Sequence, residues 1–229
     1  MKKSALIAVF FILFSIYTSL FCQQDRSAAD FFKDVRMASI DALPDKFSAG
    51  LSGQSIEKKL SSIPKDSYLD KSKNVTAMVI YSKTKGITIT VVNVDDLYRD
   101  IYKDLPRQFF AFDILLSERT TDSFLNKYEV SYYGKGPEGA DPVILKLRIR
   151  GAENNVLLFV DRATLQIRRI DYLLGENLMS TTQVIYNDYD QGGKTYSIPC
   201  RFLSKIGTGG GNSGRSDVFE MVNVALGGR

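Results

Sequence analysis

From Tyr128 onward the sequence alternates between short apolar-rich runs and glycine-bearing turns, and this alternation limits the fold more than any other feature. The runs cover residues 128–133, 143–150, 155–161, 166–173, 181–189, 196–206 and 218–226. Short strands at that spacing predict an antiparallel meander. The connections carry turn chemistry, with Gly134-Lys135-Gly136-Pro137, Gly175-Glu176-Asn177 and Gln191-Gly192-Gly193-Lys194. The Gly/Ser/Asn-rich stretch 208–216 is expected to be a flexible, exposed hairpin loop. It lacks the Gly-Lys-Ser/Thr ending of a phosphate cradle and leads into a strand, so no helix N-terminus is available to hold a phosphate.

Two of the strands differ in kind. In residues 143–150, Val143, Leu145, Leu147 and Ile149 share one face while Lys146, Arg148 and Arg150 share the other, the pattern of a sheet with one wet side. In the next strand Val156, Leu157, Leu158, Phe159 and Val160 are apolar on both faces. Both sides of that strand must be covered, by a packed helix or by an apolar ligand.

The N-terminal half mixes helices and strands. Ser27 is placed to cap a helix over residues 28–40, with Asp30 in its first turn and Phe31, Phe32, Val35 and Ser39 near one face. A short strand at 47–53 and a short helix at 55–63 follow, then strands at 74–81 and 86–94, the latter alternating Ile87, Ile89 and Val91 with Thr88, Thr90 and Val92. A helical segment begins at Asp95, with Leu97, Ile101 and Leu105 recurring at a spacing of four. Pro106 interrupts it, and residues 107–117 resume as a stretch containing Phe109, Phe110, Phe112, Ile114, Leu115 and Leu116. A helix so apolar is covered on more than one side or covers something apolar itself.

Ahead of all this stands a leader, residues 1–22. Lys2 and Lys3 precede the uncharged run 5–14, and a more polar exit follows, as in a secretory signal peptide. Cleavage after Cys22 leaves Gln23 as the mature N-terminus. Two alternatives stay open: an uncleaved anchor, since residues 4–24 are all uncharged, and lipidation of Cys22, against which stands the bulky Phe21. Removing the leader leaves 207 of 229 residues, enough for one domain over 23–229.

Composition removes several function classes. The chain has no histidine, which excludes imidazole general-base catalysis, Ser-His-Asp and Cys-His nucleophiles, and His-ligated zinc. The net charge of +4 falls by two when Lys2 and Lys3 leave, and no basic stretch of the nucleic-acid-binding kind is present, so nucleic acid is not an expected partner. With Cys22 and Cys200 as the only cysteines there is no disulfide framework, and Cys200 is expected to be a buried thiol. Asp95, Asp96, Asp161, Asp171, Asp188 and Asp190 are candidates for a carboxylate dyad, but each sits at a predicted strand end or helix start, where turn formation and capping are the simpler roles. No catalytic residue, metal ligand or cofactor is expected.

The segment Leu157-Leu158-Phe159-Val160-Asp161-Arg162-Ala163-Thr164-Leu165-Gln166-Ile167-Arg168-Arg169-Ile170 resembles the Val-Asp-x-x-Thr-x-x-Ile-x-x-Ile strand-turn-strand of the LolA/LolB lipoprotein-sorting superfamily. As in that superfamily, a strand ending in Tyr186-Asn187-Asp188-Tyr189, a Gly-containing turn and Ile198-Pro199 follow. The resemblance implies an α+β, mainly β fold: an antiparallel, unclosed half-barrel covered by helices. It also implies a periplasmic carrier of lipoprotein acyl chains or lipids, working between an inner-membrane donor and an outer-membrane acceptor. The expected lining residues are Phe109, Phe112, Leu116, Leu157 and Phe159. The chain departs from LolA proper in residues 77–94, where the Pro-x-x-Phe-Arg stretch is missing, so the arginine tied to lid closure there has no counterpart in that region. Two rivals remain: an envelope interaction protein with the same fold, anchored by its leader or by Cys22, and an enzyme using paired carboxylates such as Asp161 or Asp188.

Overall fold

The structure, a computed structural model, describes residues 26–118, 120–134, 136, 141–208 and 211–227. The leader, Cys22 and Gln23 lie outside the described residues.

The first helix, α1 (Ala28–Asp41), starts where the Ser27 hydroxyl accepts the Asp30 backbone N–H at 3.1 Å, and it buries Phe31, Phe32 and Val35 while Met37 faces out. Strand β1 (Lys46–Ser52) and helix α2 (Gln54–Leu60) follow. They are joined by Gly53 at φ 146°, where a Cβ would lie 1.9 Å from the Val218 carbonyl oxygen, so only glycine fits. Strands β2 (Thr76–Ser82) and β3 (Gly86–Val92) form a hairpin. Next come short helices α3 (Asp96–Arg99), α4 (Leu105–Gln108), α5 (Phe110–Leu116) and α6 (Thr121–Lys127). The remainder is β4 (Tyr128–Tyr132), β5 (Val143–Ile149), β6 (Asn154–Val160), β7 (Ile167–Leu174), β8 (Asn177–Gln191), β9 (Lys194–Thr208) and β10 (Gly211–Leu226).

All ten strands join one antiparallel sheet in the order β3-β2-β1-β10-β9-β8-β7-β6-β5-β4. It is not closed, so the expected α+β, mainly β half-barrel is the fold observed. The edge strands β3 and β4 are consecutive in sequence, and the chain between them, residues 93–127, carries α3 to α6 from one free edge to the other. This crossover fills the concave face: Phe112 of α5 packs edge-on against Phe202 of β9 at 4.9 Å between ring centroids.

Three sequence expectations are corrected. Pro106 does not interrupt a helix but sits in the first turn of α4, where its missing N–H has no intrahelical partner to lose. Helix α6, unforeseen, is started by Thr120, whose hydroxyl accepts the Ser123 N–H at 3.2 Å. The stretch 208–216, expected as a loop, belongs largely to the β9–β10 hairpin, since Ser216 pairs with Lys205 and Arg215 with Ile206. Backbone pairing continues there without an apolar face to reveal it. The β8–β9 connection is a two-residue turn at Gly192 (φ 61°) and Gly193 (φ 77°), whose twist suits a hairpin.

Buried tyrosines give the fold a pH dependence. Burial pushes Tyr81 and Tyr102 up to about 12, and Tyr186 higher still. In the unfolded chain tyrosine ionises near 10. The unfolded state therefore loses protons first, and this contribution to stability disappears as pH rises from about 10 towards 12. Arg36, pulled down to about 10 by burial against the opposing influence of Asp113, acts in the other direction but is one group against three. The urea midpoint is expected to be lower at about pH 11.5 than at about pH 9.

Candidate functional site: a recess under the helical crossover

Register decides which residues share a face. Leu158 of β6 pairs with Ile170 of β7, Ile170 with Thr182 of β8, and Thr182 with Ser204 of β9, so these four form one row across the concave face. A second row, Tyr172, Ser180 and Ile206, lies beside it. The neighbouring row carries Val184 and Phe202, large enough to meet the crossover helices. Where Ser180, Thr182 and Ser204 take these inward positions the side chains are too short to do so. A recess of about 400 Å³ results.

Its roof is the α4–α5 junction. Phe109, in an extended conformation between the two helices (φ −98°, ψ 101°), sets its ring edge-on to Phe112 at 4.9 Å and Phe202 at 5.8 Å, and tilted against Phe219 at 4.8 Å. Phe110 meets Tyr128 edge-on at 6.1 Å. Ile149, paired with Tyr128, completes the apolar wall, and Arg107, Gln108 and Lys127 stand at the rim. The polar floor is internally satisfied, with the Thr182 hydroxyl donating to Ser204 Oγ at 3.3 Å.

The helix behind Phe109 is held from below. Arg36 of α1 is fully buried, donates from Nη1 to the Ile114 carbonyl, places its guanidinium 4.9 Å from the Phe124 ring centre and faces Asp113 electrostatically. A cation at the carbonyl end of α5 also suits the helix dipole. Residues 77–94 hold no arginine, and the arginine that grips the crossover stands on α1. Its sequence signal was an arginine beside Phe32 and Val35, on the apolar side of an amphipathic helix.

The five expected lining residues are not brought together. Phe109 lines the recess. Phe112 and Leu116 are fully buried in the core behind it. Leu157 and Phe159 lie on the opposite, outer face, because their partners are Asp171 and Arg169 and not the inward Ile170. On that outer face Leu157 is nonetheless buried and Phe159 half-buried. The Arg169 guanidinium lies 4.4 Å from the Phe159 ring centre and is fixed by two hydrogen bonds to Asp171, which also accepts from the Thr181 hydroxyl at 2.8 Å. The recess residues that sequence reading missed are Ile170, Tyr172, Ser180, Thr182, Ser204 and Ile206. The signal for Ser180, Thr182 and Ser204 was a small polar residue at an inward position, visible only once register is known.

Asp95, Asp96, Asp161, Asp171 and Asp190 have local partners. Asp95 accepts the Leu97 N–H as an N-cap, and Asp190 accepts from the Thr195 hydroxyl. Asp161 accepts the Ala163 and Thr164 N–H groups at 3.0 and 2.9 Å, and the latter bond above all holds its carboxyl below the usual range. Cys200 is buried, with its thiol pushed up by desolvation and its sulfur 3.4 Å from the Tyr189 hydroxyl. Among the described residues there is no cluster of three acidic or thiol groups placed for a metal ion, and no helix long and apolar enough to cross a membrane.

A second, larger cleft of about 680 Å³ lies at β1 and β2, bounded by Ser48, Gly50, Ser52, Met78, Glu57 and Tyr68. Among the described residues its lining holds no cation and no residue of the crossover.

No protein-family model and no curated protein sequence matches the chain. Among solved structures, a DUF1329 family protein from Desulfovibrio piger overlaps 88% of this chain and 94% of its own, at 10% identity and a TM-score of 0.46. The Pseudomonas aeruginosa MucA/MucB complex contains a chain overlapping 86% of this one and 99% of its own, at 8% identity and a TM-score of 0.29.

Proposed function

We propose that the protein is a periplasmic carrier or binding protein for acylated molecules, lipoproteins among them, which holds an acyl chain in the recess beneath Phe109. The observation that carries this reading is the recess itself: an apolar wall and aromatic roof over a floor of short Ser and Thr side chains, with Asp113 in its lining and cations at its rim. Its volume lies near the lower end of the range of ligand pockets, about 300–1,000 Å³. That suits one chain and not several. Each methylene buried contributes about 0.8 kcal/mol, so affinity comes from area and needs no catalytic group.

The moving part is narrow. Helix α5 is locked by Arg36 and by the buried Phe112, whereas α4 exposes Arg107 and Gln108 and joins α5 through the single extended residue Phe109. Rotation about Phe109 lifts α4 and opens the recess without disturbing the core. A donor membrane or complex loads the chain and an acceptor receives it.

The larger cleft at β1 and β2 favours a second reading, an envelope protein that binds a polypeptide partner there. Native mass spectrometry with lipid extraction, on protein purified from its own envelope, separates the two. Co-purifying acylated molecules support the carrier. An empty chain that also refuses fatty-acyl probes sinks it.

A further inference from the structure

Strands β4, β6, β8 and β10 all begin at the same end of the sheet, and the recess opens there, since Lys127, Tyr128, Ser180 and Ile206 belong to that end. Four large apolar side chains are left in solvent at this end: Leu174 at 48%, Leu178 at 47%, Met179 at 40% and Ile206 at 47% exposure. They come from adjoining strands β7, β8 and β9, whose ladder sets Ser180 opposite Ile206 and Leu178 opposite Leu173. Gly207 keeps the strands close, as a Cβ there would sit 3.0 Å from the Leu178 carbonyl oxygen. Single exposed apolar residues are ordinary, but a group of them beside a cavity mouth marks an interaction surface.

The charges around the group are mixed with a positive excess. Arg107, Lys127 and Lys205 carry no ion pair among the described residues, and Arg150 faces Glu129 at 3.9 Å. Glu153 and Glu176 sit on the two turns beyond. Apart from Glu176, which stands on the turn between Leu174 and Leu178, the apolar side chains at the tip with basic side chains set back from it match the layering of a bilayer surface, acyl region first and phosphates outside.

We infer that this end of the sheet docks on a lipid leaflet, with Leu174, Leu178, Met179 and Ile206 entering the acyl boundary and Arg107, Lys127 and Lys205 meeting headgroup phosphates. Ile206 is both a member of the exposed group and a wall of the recess. A chain leaving the leaflet therefore passes into the recess along apolar surface without crossing water. The inference adds a membrane contact to the carrier reading and is tested apart from it.

The chain has no tryptophan, so Leu178→Trp places a single reporter at the tip. Ile80→Trp, on β2 at a residue of similar exposure (49%), is the control, and Met179→Trp replaces the first variant if it fails to fold. With vesicles of mixed phosphatidylcholine and phosphatidylglycerol, the tip tryptophan is expected to shift to the blue and to be quenched by brominated acyl chains, while the control does neither. Adding Leu174→Asp and Met179→Asp to the Leu178→Trp chain is expected to weaken vesicle binding about tenfold or more. Equal behaviour of tip and control, or a tip that is shielded only by self-association of the protein, overturns the inference. Insertion without binding of a soluble fatty-acyl probe keeps the docking face and loses the carrier reading, and the reverse result does the opposite.

Discussion

Phe112→Ala is expected to lower stability by about 3–5 kcal/mol, the range for truncating a fully buried phenylalanine. The ring is completely enclosed, and it touches Phe109, Phe202 and Phe219 at centroid distances of 4.9, 4.9 and 6.0 Å. Its loss leaves a void between the crossover and the middle of the sheet, where β9 and β10 cannot move inward because each is paired on both sides. Chemical denaturation measures the loss. An effect under about 1 kcal/mol would mean that α5 is not packed against Phe202. Because the substitution acts on folding, reduced acyl binding by Phe112→Asp would say nothing about the recess. Phe109, half-buried and on the recess side, is the residue whose change reports on both.

Arg36→Met is expected to cost about 3–5 kcal/mol, as for other buried ionic contacts broken from one side. Methionine keeps the apolar contact with Phe124 but removes the donor to Ile114 and the cation opposite the buried Asp113. The main part of the cost is the carboxylate left without its cation. Adding Asp113→Asn is therefore expected to return a substantial fraction, and a double-mutant cycle gives the coupling directly. Additive losses from the two changes would show that Arg36 and Asp113 do not act as a pair. The same variant releases the C-terminal end of α5, so the opening proposed about Phe109 should extend to that helix.

Much of the sheet was legible because period-2 patterns report a buried face directly. Ile87, Ile89 and Val91 on β3 and Val143, Leu145 and Leu147 on β5 read correctly for that reason. The doubly apolar β6 was also legible, but not what covers it. Arg169 and Asp171 share a face only through their spacing of two, and the sequence does not say that this face lies over Phe159 and Leu157. The recess was hidden for a related reason: Thr182 and Ser204 are separated by a hairpin, and their smallness matters only because register sets them side by side under Phe109. The greasy stretch 107–117 was read as either covered on more than one side or covering something apolar itself, and residues 111–116 are all buried. Its division into α4 and α5, which gives the hinge, depends on Pro106 starting a turn and not ending one.

The proposed carrier holds an acyl chain in this recess. The most direct measurement is titration of a fluorescent fatty-acyl probe into three chains: the unaltered protein, Ser204→Phe and Phe159→Asp. Ser204→Phe projects a ring from the recess floor, with an overpacking cost of about 1–3 kcal/mol, and Phe159→Asp alters the outer face. Saturable binding is predicted for the unaltered protein and for Phe159→Asp, with a loss of about tenfold or more, about 1.4 kcal/mol, for Ser204→Phe at retained secondary structure. Equal binding by all three chains, or a loss confined to Phe159→Asp, would contradict the account and place the ligand elsewhere on the protein.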